Sequence, residues 1–461
     1  MKTRTLKILA VSLGLCAAAG NLVAQVTLTT LHSFEGSDGA QPIGGLVQGN
    51  DGNFYGTTYG GNGTVFRISP SGSFTNLHTF TGTFGAGDGS HPYAALVQGS
   101  DGNFYGTTYQ GGAGGNGSVF RISPSGSFTN FYSFTGGADG YYPLGGLVQG
   151  SDGNLYGTSY SDVFRISLSG SFTNLHSFSG SDGYNTYAGL VQGSDGNFYG
   201  TAAQGGSNNN GAVFQISPSG SYTNLYLFSG YISGGGDSDG EDPRGALVQG
   251  SDGNFYGTTA GGGANFIYDS GTVFRISTNG SYAILHSFTL FTNDGEGIGP
   301  EAGLVQGSDG NFYGTTPAST NGSDYGTLFR ITPSGKLTTL YEFTGPADPY
   351  GALVQGSDGN FYGTTQEGGT NGVGSVFKLI VPLNPPANQI SAIQVVATNV
   401  LVTLPSVAAE FYQLQSRTSL TAGSWADVAG ASAKSIGGSL TVTNFGGFSQ
   451  SQQFYRFAIT P

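Results

Sequence analysis

The sequence is poor in several residues on which protein chemistry often depends. It has one cysteine, one tryptophan and one methionine in 461 residues, and only 9% of its residues are charged. The cysteine, Cys16, lies in an N-terminal segment in which Lys2, Arg4 and Lys7 precede an apolar run over residues 8–19. This order is typical of a secretory signal peptide, which we place at residues 1–24, and the run is too short to span a bilayer. We therefore predict a secreted or outer-surface protein whose exported form has neither disulfides nor thiol chemistry.

Positive charge is also scarce. The chain has 14 Lys and Arg against 27 Asp and Glu, a formal net charge of −13, and no basic cluster. Such a balance repels nucleic acids and anionic lipids. The partner that we expect is an extracellular glycan or protein.

The most regular feature is a twelve-residue phrase, Leu-Val-Gln-Gly-(Ser/Asn)-Asp-Gly-Asn-(Phe/Leu)-Tyr-Gly-Thr, that occurs seven times. Its tyrosines are Tyr55, Tyr105, Tyr156, Tyr199, Tyr256, Tyr313 and Tyr362. A period of about 50 residues indicates a propeller or a linear array. Each repeat has four short segments of strand character. Only the connections between the second and third segments, and between one repeat and the next, vary appreciably in length, so the variation falls on one face.

The two ends of the repeat region complete each other. Residues 26–34 resemble a fourth segment without the three before it, and the seventh repeat stops at Leu379 without a fourth segment. An open array has no reason to divide a repeat in this way, whereas a ring that must cover its edges does. We therefore predict an all-β fold, a seven-bladed β-propeller of four-stranded blades over residues 25–380 that the N-terminal strand closes.

The repeated phrase, together with copies of Gly-Thr-Val-Phe-Arg-Ile-Ser-Pro-Ser-Gly-Ser-Phe, resembles the GloVer (Gloeo/Verruco) tandem-repeat family of secreted bacterial proteins over about residues 26–380. The resemblance implies a β-propeller. It brings no established enzymatic activity and no catalytic residues.

A different kind of sequence follows the repeats. Residues 381–388 are rich in proline and predict a stiff linker. Residues 389–461 contain new strand segments, for which we predict a small β-sandwich similar to fibronectin type III modules that serves as a spacer or attachment module.

Recurring residues are interpreted as structural. His32, His78, His176 and His286 share one fourth-strand position with tyrosines of other repeats, which indicates flat side chains that pack on a blade. The aspartates of the phrase, such as Asp51, are expected to accept backbone hydrogen bonds in the hairpin turn. No catalytic residue is predicted.

Residues that break the repeat are the candidates for function. We expect no cofactor other than calcium, for which Asp237, Asp239, Glu241 and Asp242 in one long loop offer oxygen ligands; a solvated acidic loop is the alternative. Tyrosines set among small polar residues resemble a recognition surface, although they could instead plug glycine-rich loops. The ligand-binding candidates are Tyr59, Tyr109, Tyr141, Tyr142, Tyr231 and Tyr268.

The function that we predict is a monomeric binding module for a glycan or a protein partner, acting through the variable face. Two alternatives remain open. One is an extracellular polysaccharide lyase or hydrolase that uses the carboxylates of residues 237–242, and the other is a structural component of the cell envelope. Because a ring fold accommodates all three, the fold does not choose between them.

Overall fold

A computed structural model describes residues 26–82, 87–206, 208–230, 238–263, 270–289, 295–319 and 325–381, and six strands of the C-terminal region. The chain divides into a propeller, Leu28–Gly307 with Asn311–Leu379, and a second unit that contains the C-terminal strands. The predicted signal peptide and all but the first residue of the predicted linker lie outside the described residues.

Seven four-stranded sheets, blades 1 to 7, form the propeller. Strand β1 (Thr27–Ser33) comes first in the chain and belongs to the last blade. Blades 1 to 3 comprise β2 (Val47–Gln48), β3 (Phe54–Thr58), β4 (Thr64–Ile68), β5 (Phe74–Thr79); β6 (Val97–Gln98), β7 (Phe104–Thr108), β8 (Ser118–Ile122), β9 (Phe128–Ser133); and β10 (Val148–Gln149), β11 (Leu155–Thr158), β12 (Asp162–Ile166), β13 (Phe172–Ser177). Blades 4 and 5 comprise β14 (Val191–Gln192), β15 (Phe198–Ala202), β16 (Ala212–Ile216), β17 (Tyr222–Leu227); and β18 (Val248–Gln249), β19 (Phe255–Thr259), β20 (Thr272–Ile276), β21 (Tyr282–Ser287).

The remaining blades carry one addition and the closure. A two-residue pair, β22 (Gly297–Ile298) with β25 (Ala318–Ser319), accompanies blade 6, which comprises β23 (Val305–Gln306), β24 (Phe312–Thr316), β26 (Thr327–Ile331) and β27 (Leu337–Glu342). Blade 7 comprises β28 (Val354–Gln355), β29 (Phe361–Thr365), β30 (Ser375–Ile380) and, as its outermost strand, β1. The N-terminal strand therefore closes the ring, which confirms the prediction.

Contacts between blades 7 and 1 repeat those between other neighbouring blades. The Tyr362 ring stacks on Phe54 of blade 1 at 4.0 Å between centroids, as Tyr55 stacks on Phe104 of blade 2 at 3.9 Å. The Thr364 hydroxyl donates to the Gly44 carbonyl at 3.1 Å, as Thr57 donates to Ala94 at 3.1 Å. The closing interface is thus built like the others.

The phrase Phe-Tyr-Gly-Thr forms the second strand of nearly every blade, and its residues are buried on both sides of the sheet. Its glycine is required for space rather than for backbone freedom. A Cβ on Gly56 would lie 2.6 Å from the Phe66 ring and 2.8 Å from Leu46, closer than atoms in a packed core can approach. The repeat therefore keeps this glycine so that the ring of the third strand can lie across it.

The hairpin aspartates behave as predicted. Asp51 accepts hydrogen bonds from the Asn53 backbone at 3.1 Å, the Asn53 side chain at 2.7 Å and the Tyr55 hydroxyl at 2.8 Å. Burial acts to raise the pKa of this carboxyl, but the hydrogen bonds that stabilise its ionised form outweigh that effect and leave the pKa below its usual value. The same direction holds for Asp101, Asp152, Asp195, Asp252 and Asp358.

We expect the propeller to lose stability on acidification. A carboxyl whose pKa is lower in the folded than in the unfolded chain stabilises the fold above the unfolded value and loses this contribution as the pH falls through the folded one. The unfolded value is about 3.9, and the pKa of Asp358 is lowered to about 2. Urea midpoints measured from pH 6 to pH 2 should therefore fall mainly below pH 4. A midpoint that is constant between pH 4 and pH 2 would contradict this account.

The recurring histidines pack as predicted. His78 stacks on Phe128 of the next blade at 3.8 Å between centroids, and its Nε2 lies 2.8 Å from Asp88 Oδ2. His32 and His176 make the same two contacts with Phe74 and Asp38, and with Tyr222 and Asp182. These side chains join neighbouring blades.

The second unit is described by its strands. They are β31 (Ala392–Val396), β32 (Asn399–Ser406), β33 (Phe411–Arg417), β34 (Ala426–Lys434), β35 (Gly438–Asn444) and β36 (Phe454–Thr460). They form two three-stranded sheets of order β31-β32-β35 and β34-β33-β36. The fibronectin-like sandwich stays a prediction. In the part of the chain that the structure covers, no helix is long and apolar enough to cross a membrane.

Candidate functional site

Each blade presents one side chain at the mouth of the central channel, on the variable face. The residue comes just before the small pair that precedes the first strand of the blade, and its identity changes from blade to blade. We call these seven residues the channel mouth: Ile43, Tyr93, Leu144, Tyr187, Arg244, Glu301 and Tyr350. These equivalent positions carry aliphatic, aromatic, cationic and anionic side chains in different blades.

The backbone that holds the channel mouth is nearly the same in every blade. Two residues before each mouth residue the chain adopts the left-handed conformation, with φ of 56° at His91, 53° at Tyr142 and 55° at Asp242. Gln41, Asn185, Gly299 and Asp348 are the equivalent residues, and their φ angles are also positive. Residues other than glycine rarely adopt this conformation, and strain of this kind persists only where surrounding contacts enforce it.

One hydrogen bond to the preceding blade and one within the same blade hold this turn. The His91 backbone N–H donates to the Asn62 carbonyl of the preceding blade at 2.9 Å, and the His91 carbonyl accepts from Tyr109 at 3.0 Å. Asp242 repeats the pattern with Asn210 at 3.1 Å and Ala260 at 3.0 Å. The fold therefore fixes the position of each mouth side chain and leaves its chemistry free to vary.

Small residues line the channel below the mouth because the blades meet there backbone to backbone. A Cβ on Gly45 would lie 2.8 Å from the Ala352 carbonyl oxygen, and one on Gly189 would lie 2.7 Å from the Gly146 carbonyl oxygen. Mouth residues and these small residues together enclose a cavity of about 260 Å³.

An ion-pair network occupies one side of the mouth. Arg244 Nε and one terminal nitrogen lie 2.9 and 2.7 Å from Asp242 Oδ2, and the other terminal nitrogen lies 3.0 Å from Glu301 Oε1. The guanidinium carbon also lies 5.3 Å from the centre of the Tyr187 ring, within cation–π distance. Burial raises the pKa of Glu301, and the nearby Arg244 opposes this effect only in part.

Burial and these charges shift the pKa values of two mouth tyrosines, Tyr93 and Tyr350. Burial raises the pKa of Tyr93 to about 12, and its next largest influences are Glu301 and Arg244, which belong to blades on the other side of the ring. The pKa of Tyr350 is also raised, by burial and then by Glu301. Because Tyr93, Tyr350, Arg244 and Glu301 line the same cavity, the phenols and the ion pair form one polar cluster.

A second cavity of about 230 Å³ adjoins the mouth. Three of its lining residues, Tyr93, Leu144 and Tyr187, also line the first cavity. We call it the tyrosine cleft, and its lining residues are Tyr59, Tyr93, Tyr109, Leu144, Tyr160 and Tyr187. The Asn185 side-chain amide donates to the Tyr187 hydroxyl at 3.2 Å, which orients that hydroxyl.

The predicted tyrosines divide between the cleft and its surroundings. Tyr59 and Tyr109 line the cleft. Tyr142 packs beside it, 4.9 Å from the Tyr109 ring and 5.2 Å from the Tyr141 ring, and Tyr141 stacks on Tyr160 at 5.5 Å. Tyr231 and Tyr268 lie outside the described residues.

The predicted calcium ligands make other contacts. Asp239 accepts from the Tyr226 hydroxyl at 2.7 Å and from the backbone of Ser229 and Gly230, so it occupies the place that Asp88 has beside His78. Asp242 pairs with Arg244. Glu241 pairs with Gly261 through the backbone, and Asp237 lies outside the described residues.

Among the residues whose placement is given, no three acidic, histidine or cysteine side chains are grouped as metal ligands. The calcium site stays a prediction.

Sequence reasoning did not identify the channel mouth as a unit. Each copy of Leu-Val-Gln is preceded by a pair of small residues, and the mouth residue comes just before that pair. This residue changes in chemistry from copy to copy, whereas its neighbours hardly change. Aligning the seven copies on that column would have found it.

Comparisons with known proteins agree with this architecture. The sequence profile described as the Gloeobacter/Verrucomicrobia repeat matches residues 21–192, 159–296 and 236–390. No curated protein matches the chain.

Similar folds occur in much larger solved structures. The extracellular domain of a protein described as a hybrid two-component system from B. thetaiotaomicron is 13% identical with a TM-score of 0.50, over 90% of this chain and 53% of that one. A second such domain from B. thetaiotaomicron is 14% identical with a TM-score of 0.51, over 95% and 56%. PorZ, a surface component of the type-IX secretion system of Porphyromonas gingivalis, is 14% identical with a TM-score of 0.48, over 88% and 58%. The chain thus spans just over half the length of these proteins.

Proposed function

The chain belongs to the Gloeobacter/Verrucomicrobia repeat family. We propose that it is a secreted or cell-surface binding module for a glycan or a protein partner. The partner is held at the channel mouth and the tyrosine cleft. In this proposal the N-terminal segment directs export, and the C-terminal strands form a spacer or attachment module.

One observation carries the proposal. Seven backbone positions of the same conformation present seven side chains around one opening, and these include three tyrosines, an arginine and a glutamate. A residue needed only to build a blade would be repeated from blade to blade. Recognition surfaces also combine rigid tyrosines with adaptable polar groups, because a tyrosine gives a large contact area at little cost in conformational entropy.

The enzymatic alternative has less support. Asp239 and Asp242, two of the carboxylates on which it would depend, are engaged by Tyr226 and Arg244 respectively. Asp239 accepts through both oxygens, so it would have to give up a protein hydrogen bond before it could take a proton from a substrate.

A glycan array tests the proposal. We expect the full chain to bind a subset of glycans and the Tyr59→Ala/Tyr109→Ala variant to bind them about tenfold more weakly or worse, since each substitution removes a large contact surface. Tyr325→Ala is the matched control, because Tyr325 lies on the same face in blade 6 but lines neither cavity.

The same array run with a chelator separates the calcium prediction from the proposal. Loss of signal with the chelator but not with the cleft variant would move the binding site to the acidic loop. Equal binding by the wild-type protein and the cleft variant, for glycans and for any purified protein partner, would reject the proposal.

A further inference from the structure

The channel mouth and the tyrosine cleft form one continuous site. They share the wall made by Tyr93, Leu144 and Tyr187, so a ligand in one cavity can extend directly into the other. The two parts differ in chemistry. The mouth offers Arg244, ion-paired with Glu301 and with the turn residue Asp242, whereas the cleft offers aromatic rings.

The charges at the mouth select against anions. Arg244 is its one cation, and the guanidinium is already bonded to Asp242 and Glu301 at 2.7 to 3.0 Å. Two carboxylates against one guanidinium leave the cluster negative when both acids are ionised. An anionic ligand would have to displace one of these charge-assisted hydrogen bonds, which are among the strongest in proteins.

The same groups suit a ligand that both donates and accepts hydrogen bonds. A guanidinium has five N–H donors, of which the ion pairs described above use three, and the Glu301 carboxylate, which lines the cavity, has a second oxygen that can accept. Tyr187 accepts a hydrogen bond from Asn185, so its own hydroxyl hydrogen remains for donation to a ligand. The Arg244 and Glu301 side chains are 35% and 22% exposed, and both line the cavity at the mouth.

The cleft supplies the complementary apolar contact. Tyr59 and Tyr93 have rings 6.1 Å apart at an interplanar angle of 89°, so the cleft offers both a ring edge and a ring face. A sugar ring has one face of C–H groups that can lie on an aromatic ring and a rim of hydroxyls that can reach the mouth.

We infer that this continuous site binds an uncharged sugar, with one sugar ring against the cleft tyrosines and hydroxyls bonded to Arg244, Glu301 and Tyr187. The inference rests on the proposed binding function and narrows its ligand. A quaternary ammonium ion could bind to the tyrosine faces, but the hydrogen-bond donors and acceptors of the mouth would then have no partner on the ligand. A uronic acid or a sulfated sugar would be repelled by the net negative charge of the Arg244, Asp242 and Glu301 cluster.

Calorimetric titration of the full chain tests the inference with three probes: neutral oligosaccharides that bind on the array, uronic acid or sulfated oligosaccharides of equal length, and tetramethylammonium chloride. We expect the neutral probes to bind most tightly. Tyr187→Phe, which keeps the ring and removes only the hydroxyl, should weaken neutral binding about five- to tenfold, the loss expected for one hydrogen bond. Tyr325→Phe, its control, should leave the affinity unchanged.

The outcomes separate the inference from the proposed function. Tighter binding of the anionic probes or of tetramethylammonium, or an unchanged affinity in Tyr187→Phe, would overturn the inference while the binding function stands. The inference would also be overturned, and the binding function kept, if the chain bound a purified protein partner but no sugar and the Tyr59→Ala/Tyr109→Ala variant lost that binding. If the latter variant affects no ligand, the proposed function itself fails.

Discussion

Replacing Phe34 by alanine is expected to destabilise the propeller by about 3–5 kcal/mol, the cost of removing a fully buried phenylalanine from a core. Phe34 follows the N-terminal strand and has no exposed surface. Its ring packs 5.4 Å from Phe66 and 5.7 Å from Phe74, both of blade 1. The substitution therefore opens a cavity in the interface that closes the ring.

The repeat provides an internal standard for this experiment. Phe80 is 1% exposed and has equivalent contacts with Phe120 and Phe128, at 5.3 and 5.6 Å, so Phe80→Ala should cost the same. Thr30→Ala, at an exposed position of the closing strand, should change the free energy of unfolding by no more than about 0.5 kcal/mol. Guanidinium unfolding measures all three. A Phe34→Ala effect as small as that of Thr30→Ala would mean that the N-terminal strand does not close the ring.

The second large effect is expected from Arg244→Met. The substitution keeps much of the side-chain volume but leaves Asp242 and Glu301 without their counter-charge in a half-buried site. We expect a loss of about 1–3 kcal/mol at pH 7, since removing one partner leaves the other insufficiently solvated. The second substitution Glu301→Gln should recover part of the loss, because it removes one of the two uncompensated charges.

The pH dependence of this effect identifies its cause. Burial raises the pKa of Glu301, and loss of Arg244 removes the main influence that lowers it. A carboxyl with a raised pKa binds more protons in the folded than in the unfolded chain, so stability falls as the pH rises through that interval. The difference between Arg244→Met and the wild-type protein should therefore be smaller at pH 4 than at pH 7. A difference that does not change with pH would assign the loss to packing alone.

The blades could be predicted from the sequence because every copy repeats the same short-range pairings. The hairpin bonds of Asp51 span two to four residues, and the match of residues 26–34 to a fourth strand is visible in the letters alone. The number of copies of the phrase gives the number of blades. Closure followed because a divided repeat leaves two edges that pair with each other.

The candidate site could be predicted only in part. Tyr59 and Tyr109 come directly after a second strand, so their place on the variable face followed from the pattern. The channel mouth depends instead on a left-handed turn that brings residues from all seven repeats to one opening, and nothing local marks a pair such as Arg244 and Glu301. Tyr142 is itself such a turn residue, and its ring packs beside the cleft.

The contact of Asp239 could have been found. An acid follows the fourth-strand aromatic in several repeats, as Asp38 follows His32, and the structure pairs them. The sequence alone groups the acids of the longest loop, because they are close together in the chain. In the structure Asp239 and Asp242 have separate roles that recur around the ring. Asp239 pairs with the fourth-strand aromatic residue Tyr226, and Asp242 is the left-handed turn residue before the mouth.

The most direct test of the binding account is a crystal structure of the full chain with the neutral oligosaccharide that binds most tightly on the array. The account predicts a sugar in the cleft beside Tyr93 and Tyr187, with hydroxyls within hydrogen-bond distance of Arg244 or Glu301. A sugar bound at the opposite face, at the C-terminal strands or only at the acidic loop would contradict it.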